Sequence, residues 1–334
     1  MTSKELGMFI AGDVGGTKTI LALVSVHDGP HAPLCEKEYR SNAYASLVDI
    51  LVDFSGEIQH KPQAASIGIA GPVHNNQVDV TNLPWDVQAH QLSEVLHGAP
   101  VSLLNDLESI AYAVPNLESG DTIVLKEGKT DPRGAIAIVA PGTGLGEAYL
   151  VWDGKRYRPV PSEGGHTDFA PATPLELELL SYLMPRLGHV SYERVCSGVG
   201  IPNIYDFLKE TGGYKEPEGI TSEISAAVDK TPIIVKYALD KSSEVCVRTL
   251  SLFISILGSE AGNLVLQAMA TGGVYLAGGI PMRIIEELKG EVFYNAFTRK
   301  GRLSEVLLRV PVSVIMNRKA ALYGAASHSL LAYS

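Results

Sequence analysis

Residues 12–19 read GDVGGTKT. The stretch departs from the phosphate-loop pattern G-x-x-x-x-G-K-[ST] at one place, Thr17, where the pattern has its second glycine. It is either a damaged P-loop or a different device for holding phosphate, and its flanks decide between the two. MFIAGD (8–13) reads as a strand entering the loop. TILALVSV (19–26), rich in β-branched and aliphatic residues, reads as a strand leaving it, bounded by the turn-like HDGPHAP (27–33). A P-loop hands directly into a helix whose N-terminus faces the phosphates. The stretch is therefore expected to be the tip of a strand–loop–strand hairpin. Gly15 and Gly16 would let backbone amides approach an anion closely, because no Cβ intervenes. Taken alone, a plain glycine turn is the alternative.

A second copy changes that weighting. Residues 135–151 read AIAIVAPGTGLGEAYLV, again apolar strand, glycine loop, apolar strand. Gly142, Gly144 and Gly146 suggest a dinucleotide fingerprint, but that fingerprint must open a helix, and EAYLVW reads as strand. Two such hairpins imply a duplicated fold whose two glycine loops grip a polyphosphate. Each half continues alike: ASIGIAGPV (65–73) and PVSLLND (100–106) read as strands in the first, with a helical patch near 87–97. GGVYLAGGIP (272–281) and VPVSVIM (310–316) read as strands in the second, with Pro281 at a helix start. Helical periodicity marks PLELELLSYLMPRLG (174–188), EVCVRTLSLFISILGSEAGNLVLQAM (244–269) and NRKAALYGAASHSLL (317–331). No linker rich in Pro and Ser separates the halves, so they are expected to share a cleft.

Composition limits the function. The 334 residues are 46% hydrophobic and 19% charged, enough for two domains of ordinary size, and the net charge of −10 argues against a nucleic-acid partner. Cys35, Cys196 and Cys246 form no metal-spaced cluster, and their odd number fits reduced thiols in a cytosol. The opening MTSKELGMFIAGD lacks the apolar run of a signal peptide, and no segment of membrane-spanning length free of charges and polar breaks is expected. There is no room ahead of Met8 for a helix-turn-helix, which weakens a repressor reading.

The motifs GDVGGTKT (12–19), IAGPV (69–73), TNLPW (81–85), LLNDLES (103–109), APGTGLG (140–146), SEGGH (162–166), YERVCSG (192–198) and LAGGI (276–280), in that order, carry a family resemblance over nearly the whole length. The chain resembles the bacterial-type glucokinases. The resemblance implies an α/β chain with a duplicated actin-like, ribonuclease H-like ATPase fold, its two domains flanking an active-site cleft. The small domain would comprise 1–115 plus 318–334, and the large one 116–317. It also implies ATP-dependent phosphorylation of D-glucose to glucose 6-phosphate, with Mg²⁺, in a cytoplasmic homodimer with neither nucleic-acid nor membrane partners.

Individual residues follow. Asp106, at a strand end, would accept the proton of the sugar hydroxyl, as the resemblance implies. The Asn105-x-x-Glu108 spacing also fits a capping box, and both roles are compatible. Glu163 and His166 flank two glycines that permit a sharp bend, and a carboxylate with an imidazole suits sugar hydroxyls. The resemblance makes them sugar ligands, with Glu193 a third. Glu193 also reads as a first-turn carboxylate after Ser191 as N-cap. Asn82 and Asn105 join the sugar set. Asp13, an acid in a phosphate-facing loop, calls for a cation, directly or through water, or else stabilises a turn. Thr17 and Thr143 would donate hydroxyls to phosphate, alongside Gly15, Gly16, Gly142 and Gly144, while Gly278 and Gly279 would let the adenosine lie on backbone. Lys18 either touches phosphate or projects into solvent. A kinase for another hexose or an N-acetylated amino sugar, and a non-catalytic sugar sensor, are the alternatives at this stage.

Overall fold

The computed structural model describes residues 7–214 and 216–333. The chain divides into two units: one runs to Asp121 and resumes at Asn317, the other is Thr122–Met316.

In the first unit the strands are β1 (Met8–Val14), β2 (Lys18–Ser25), β3 (Cys35–Arg40), β4 (Ala64–Ile69), the short pair β5 (Gln77–Asp79) and β6 (Asp86–Gln88), and β7 (Val101–Asn105). The sheet order is β3-β2-β1-β4-β7. β1 and β2 are antiparallel with Val14 opposite Thr19, so GDVGGTKT closes a hairpin as expected. β1, β4 and β7 run parallel, with Val14 beside Ile69 and Ile69 beside Asn105. Their carboxyl ends therefore lie in a row. Side chains alternate along β1 with the strand period of two. Met8 and Ile10 pack with Leu21, Ile50, Leu51 and Phe54 on one face. Phe9 and Ala11 pack with Leu322, Ala325 and Ala326 of the helix Ala320–Tyr333 on the other. Burial of both faces explains why these strands read as continuous apolar runs.

In the second unit the strands are β8 (Thr122–Lys126), β9 (Ile136–Pro141), β10 (Leu145–Trp152), β11 (Tyr157–Ser162), β12 (Gly273–Leu276) and β13 (Val312–Ile315). Their order, β11-β10-β9-β12-β13-β8, repeats that of the first sheet and adds β8 antiparallel at the edge. β9 and β10 form the second glycine hairpin, with Leu145 opposite Pro141. The helix Glu244–Ala268 is long and apolar enough by length and composition to cross a bilayer, with Arg248 and Glu260 as charged breaks in its run. Phe253, Ile256, Leu257, Leu264 and Val265 are nonetheless buried, so it is the core helix of this unit. Cys196 and Cys246 belong to the same core.

Candidate active site

Asp106 owes its position to a helix that is fixed at both ends of its first turns. The helix Asp106–Ala113 starts where β7 stops, with Asn105 as N-cap. The Asn105 Oδ1 accepts from the Leu107 amide at 2.9 Å, and its Nδ2 donates to the Gly71 carbonyl at 3.0 Å. Glu108 reaches back to the Asn105 amide, completing the capping box. Ser109, one turn on, donates to the Ala321 carbonyl at 2.8 Å. A Cβ on Gly324 would lie 1.5 Å from the Ser109 carbonyl oxygen, and one on Gly68 would lie 2.7 Å from its hydroxyl. Two glycines thus let this helix sit directly against β4 and the helix Ala320–Tyr333.

Asp106 remains open to solvent at the helix start, yet surrounding protein desolvates its carboxyl and raises its pKa. The Leu107 amide at 2.8 Å partly offsets this. Asp13, half-buried near the end of β1, has its pKa pushed up to about 6, by burial first and then by the charge of Asp106, with Lys18 acting in the opposite sense. Among the described residues no hydrogen-bond donor reaches the Asp13 carboxylate. A desolvated, unpaired, hard oxygen donor facing a second carboxylate suits Mg²⁺. No cluster of three or more His, Cys, Asp and Glu suited to a metal occurs among the described residues, so phosphate oxygens and water would complete such a site.

The first loop departs from expectation in detail. The Gly15 amide donates to the Lys18 carbonyl at 2.9 Å and closes the turn, so it does not point outward. Thr17 is exposed, and its carbonyl accepts from the Ser41 amide. Lys18 pairs with Glu38 at 3.3 Å. Asn82 takes a left-handed conformation, φ 66°, and its Cβ lies 3.2 Å from where a Cβ on Gly16 would stand. This unit therefore gathers Asp13, Gly16, Asn82, Asn105 and Asp106 around one row of strand ends.

In the second unit the remaining residues crowd onto Leu145, the first residue of β10. The Glu193 Oε2 accepts from the Leu145 amide at 3.0 Å. A Cβ on Gly144 would meet that same oxygen at 2.4 Å, and one on Gly165 would meet the Leu145 carbonyl at 2.2 Å. The SEGGH turn and Glu193 are thus seated on the second glycine loop itself. The Glu163 and His166 side chains are 87% and 60% exposed and lie 4.0 Å apart, so both are free to meet a ligand. Ser191 precedes the short turn Tyr192–Arg194 as expected, but its hydroxyl makes no capping bond. The Gly142 amide is taken up by the Gly144 carbonyl at 2.9 Å, and the Gly142 and Thr143 carbonyls accept from Gly198 and Val199. Gly278 has φ 86°, and a Cβ there would lie 2.6 Å from the Pro141 carbonyl, whereas Gly279 faces open space. Ser109, Gly68, Gly324 and Gly198 were not singled out from sequence. Their importance comes from packing partners far away in the chain, which no local pattern records.

Two sheets that share one strand order, each with a glycine hairpin (β1–β2 and β9–β10), define the actin-like ATPase class to which sugar kinases belong. Comparison narrows this. A family model described as Glucokinase matches residues 10–331. A curated glucokinase from Nostoc sp. is 38% identical over 334 residues, covering 96% of this chain and 98% of that protein. A glucokinase crystal structure from an Antarctic psychrotroph has a TM-score of 0.85 and 31% identity, covering 96% of this chain and 98% of the other. A ROK-family glucokinase from Streptomyces griseus, in complex with glucose and AMPPNP, shares the fold with a TM-score of 0.61 at 19% identity, covering 96% and 98%. The chain belongs to the glucokinase family. It is an enzyme that phosphorylates glucose at the expense of ATP.

Proposed function

We propose that Asp106 is the base that deprotonates the 6-hydroxyl of D-glucose, and that Asn82, Asn105, Glu163, His166 and Glu193 hold the sugar. The observation that carries the assignment is a carboxylate at the first position of a capped and clamped helix, with its pKa raised towards its working range. Phosphoryl transfer leaves little covalent work for a protein, so orientation of the hydroxyl and removal of its proton are the main tasks. Asn105 keeps one amide hydrogen beyond its bond to Gly71 and can donate it to a sugar hydroxyl. Exposed Glu163 and His166 supply an acceptor and a donor or acceptor. Gly16, Thr17, Thr143 and Gly144 hold ATP phosphates, Gly278 and Gly279 accept the adenosine, and Lys18 stays with Glu38. Asp13 holds Mg²⁺, directly or through water; when bound, the ion neutralises charge on the phosphates. The Gly15 and Gly142 amides act as turn closures. A cytoplasmic homodimer, as the family resemblance implies, belongs to the same proposal and is checked by sedimentation of the purified protein.

The sugar assignment is tested by steady-state kinetics. Glu193→Gln and His166→Ala are expected to raise the KM for glucose by about tenfold or more, the cost of one or two hydrogen bonds, with a smaller change in the KM for ATP. An unchanged glucose KM in both variants would remove these residues from the sugar set.

A further inference from the structure

Behind the SEGGH turn lies a second carboxyl group for which the chemistry above has no use. Glu147 stands on β10, two residues after Leu145 and opposite Ser162 in the ladder to β11. It is 2% exposed. Its Oε1 is fully buried without a hydrogen-bond partner, and its Oε2 lies where a Cβ on Gly164 would come within 2.0 Å. From the core helix, Glu260, 1% exposed, faces it. Glu260 accepts from Asn263 at 2.8 Å, and the same amide nitrogen donates to the Tyr192 hydroxyl at 2.9 Å, one residue before Glu193. Lys300 donates to the Ser259 carbonyl at 2.8 Å and to the Asn263 Oδ1, and so fixes that amide.

Two buried carboxyl groups in contact cannot both be ionised without a cation between them. The Lys300 ammonium, bonded to Ser259 and Asn263, favours the ionised form of Glu260 and is not among the groups that act on Glu147. A proton held between the two groups leaves one neutral O–H donor and one carboxylate, which satisfies the geometry.

We propose that Glu147 and Glu260 hold a single shared proton, and that this neutral–anionic pair is a positioning device that seats the 163–166 turn through Gly164 and the Tyr192–Glu193 turn through Asn263. The inference rests on those turns binding glucose, as proposed above. Burial and the Glu260 charge push the Glu147 pKa up to about 8, which agrees with a proton retained at neutral pH. The other groups facing the pair are Tyr192, Tyr149 and Cys196, all with raised pKa values, and Lys300, lowered by burial and influenced in turn by Arg299 and Glu176. The sign follows from linkage: a folded pKa above the unfolded value gives stability that is complete below the unfolded pKa, near 4.5, and lost as pH rises through about 8.

The experiment compares wild type with Glu147→Gln and Glu147→Ala. Glutamine supplies a permanently neutral donor in the same place. Glu147→Ala is expected to raise the KM for glucose about tenfold, with the KM for ATP within about twofold of wild type. Glu147→Gln restores the glucose KM at pH 7 and abolishes the rise that wild type shows above pH about 8. In thermal unfolding, Tm of Glu147→Gln minus that of wild type grows from pH about 5 to about 8. A Tm difference constant across that range, or a Glu147→Gln variant as impaired as Glu147→Ala at pH 7, overturns the shared proton. If Glu193→Gln raises the glucose KM and Glu147→Ala does not, the positioning role is overturned. If neither raises it, the sugar assignment falls, and the Tm difference still reports the pair separately.

Discussion

Asp106 carries two demands that oppose each other. In its proposed role as base it must be ionised, yet its surroundings favour the neutral acid, since burial raises its pKa. Turnover should therefore fall on the acid side at a pH above the ordinary aspartate range, as the carboxylate becomes protonated. The same shift has a stability sign. A raised folded pKa gives stability that is present below the ordinary aspartate value of 3.8 and lost as pH rises through the shifted value. Asp106→Asn removes that cost. It is expected to lower kcat by about 10²-fold or more while leaving Tm at pH 7 equal to or above that of wild type. Activity assays beside thermal unfolding at pH 5 and 7 check both halves, and a loss of Tm comparable to the loss of activity would make the residue structural. The place of Asp106, at a strand end and a capped helix start, was legible in sequence because the apolar run, the capping box and the LLNDLES motif converge on it. Glu147 was not, because its meaning comes from Gly164 and Glu260, brought to it by a neighbouring strand and by the core helix.

At the scale of elements, the placement of the helix Asp106–Ala113 depends on close approach to the helix Ala320–Tyr333. The sequence AALYGAASHSLL shows its small residues, and their use is visible only once Ser109 is seen against Gly324. Gly324→Ala would put a methyl group into the Ser109 carbonyl and must push the helices apart. A loss of about 2–3 kcal/mol is expected from such overpacking, read as a lowered urea midpoint, together with reduced kcat as Asp106 moves. Unchanged stability would mean that the helices are not held at this contact. Most strands and the long helices were legible from apolar runs and periodicity. The β5–β6 pair was missed because three-residue strands carry too few alternations to stand out. The core helix was legible as a helix, and Arg248, Ser259 and Glu260 are the charges and polar breaks that interrupt its apolar run. Glu260 lies buried against Glu147 and Asn263 rather than in water.

Across the whole molecule, one sheet order is used twice. In each unit two consecutive strands, β1–β2 and β9–β10, make a glycine hairpin, and the parallel strands that follow bring their carboxyl ends beside it. The opening question about GDVGGTKT is settled by this repetition: the segment is a hairpin with a counterpart at PGTGLG, and no helix follows it. The duplication was legible because both copies keep the same strand–glycine–strand pattern. The turn closures made by the Gly15 and Gly142 amides were not, because donor direction is a property of backbone geometry. The most direct test measures glucose 6-phosphate and ADP formed from glucose and MgATP by wild type and by Asp106→Ala, with mannose, fructose and N-acetylglucosamine in parallel. Equal amounts of both products from glucose with wild type, and a drop of about 10²-fold or more in the variant, are predicted. Undiminished turnover by Asp106→Ala, or no sugar phosphate from glucose with wild type, would contradict the account.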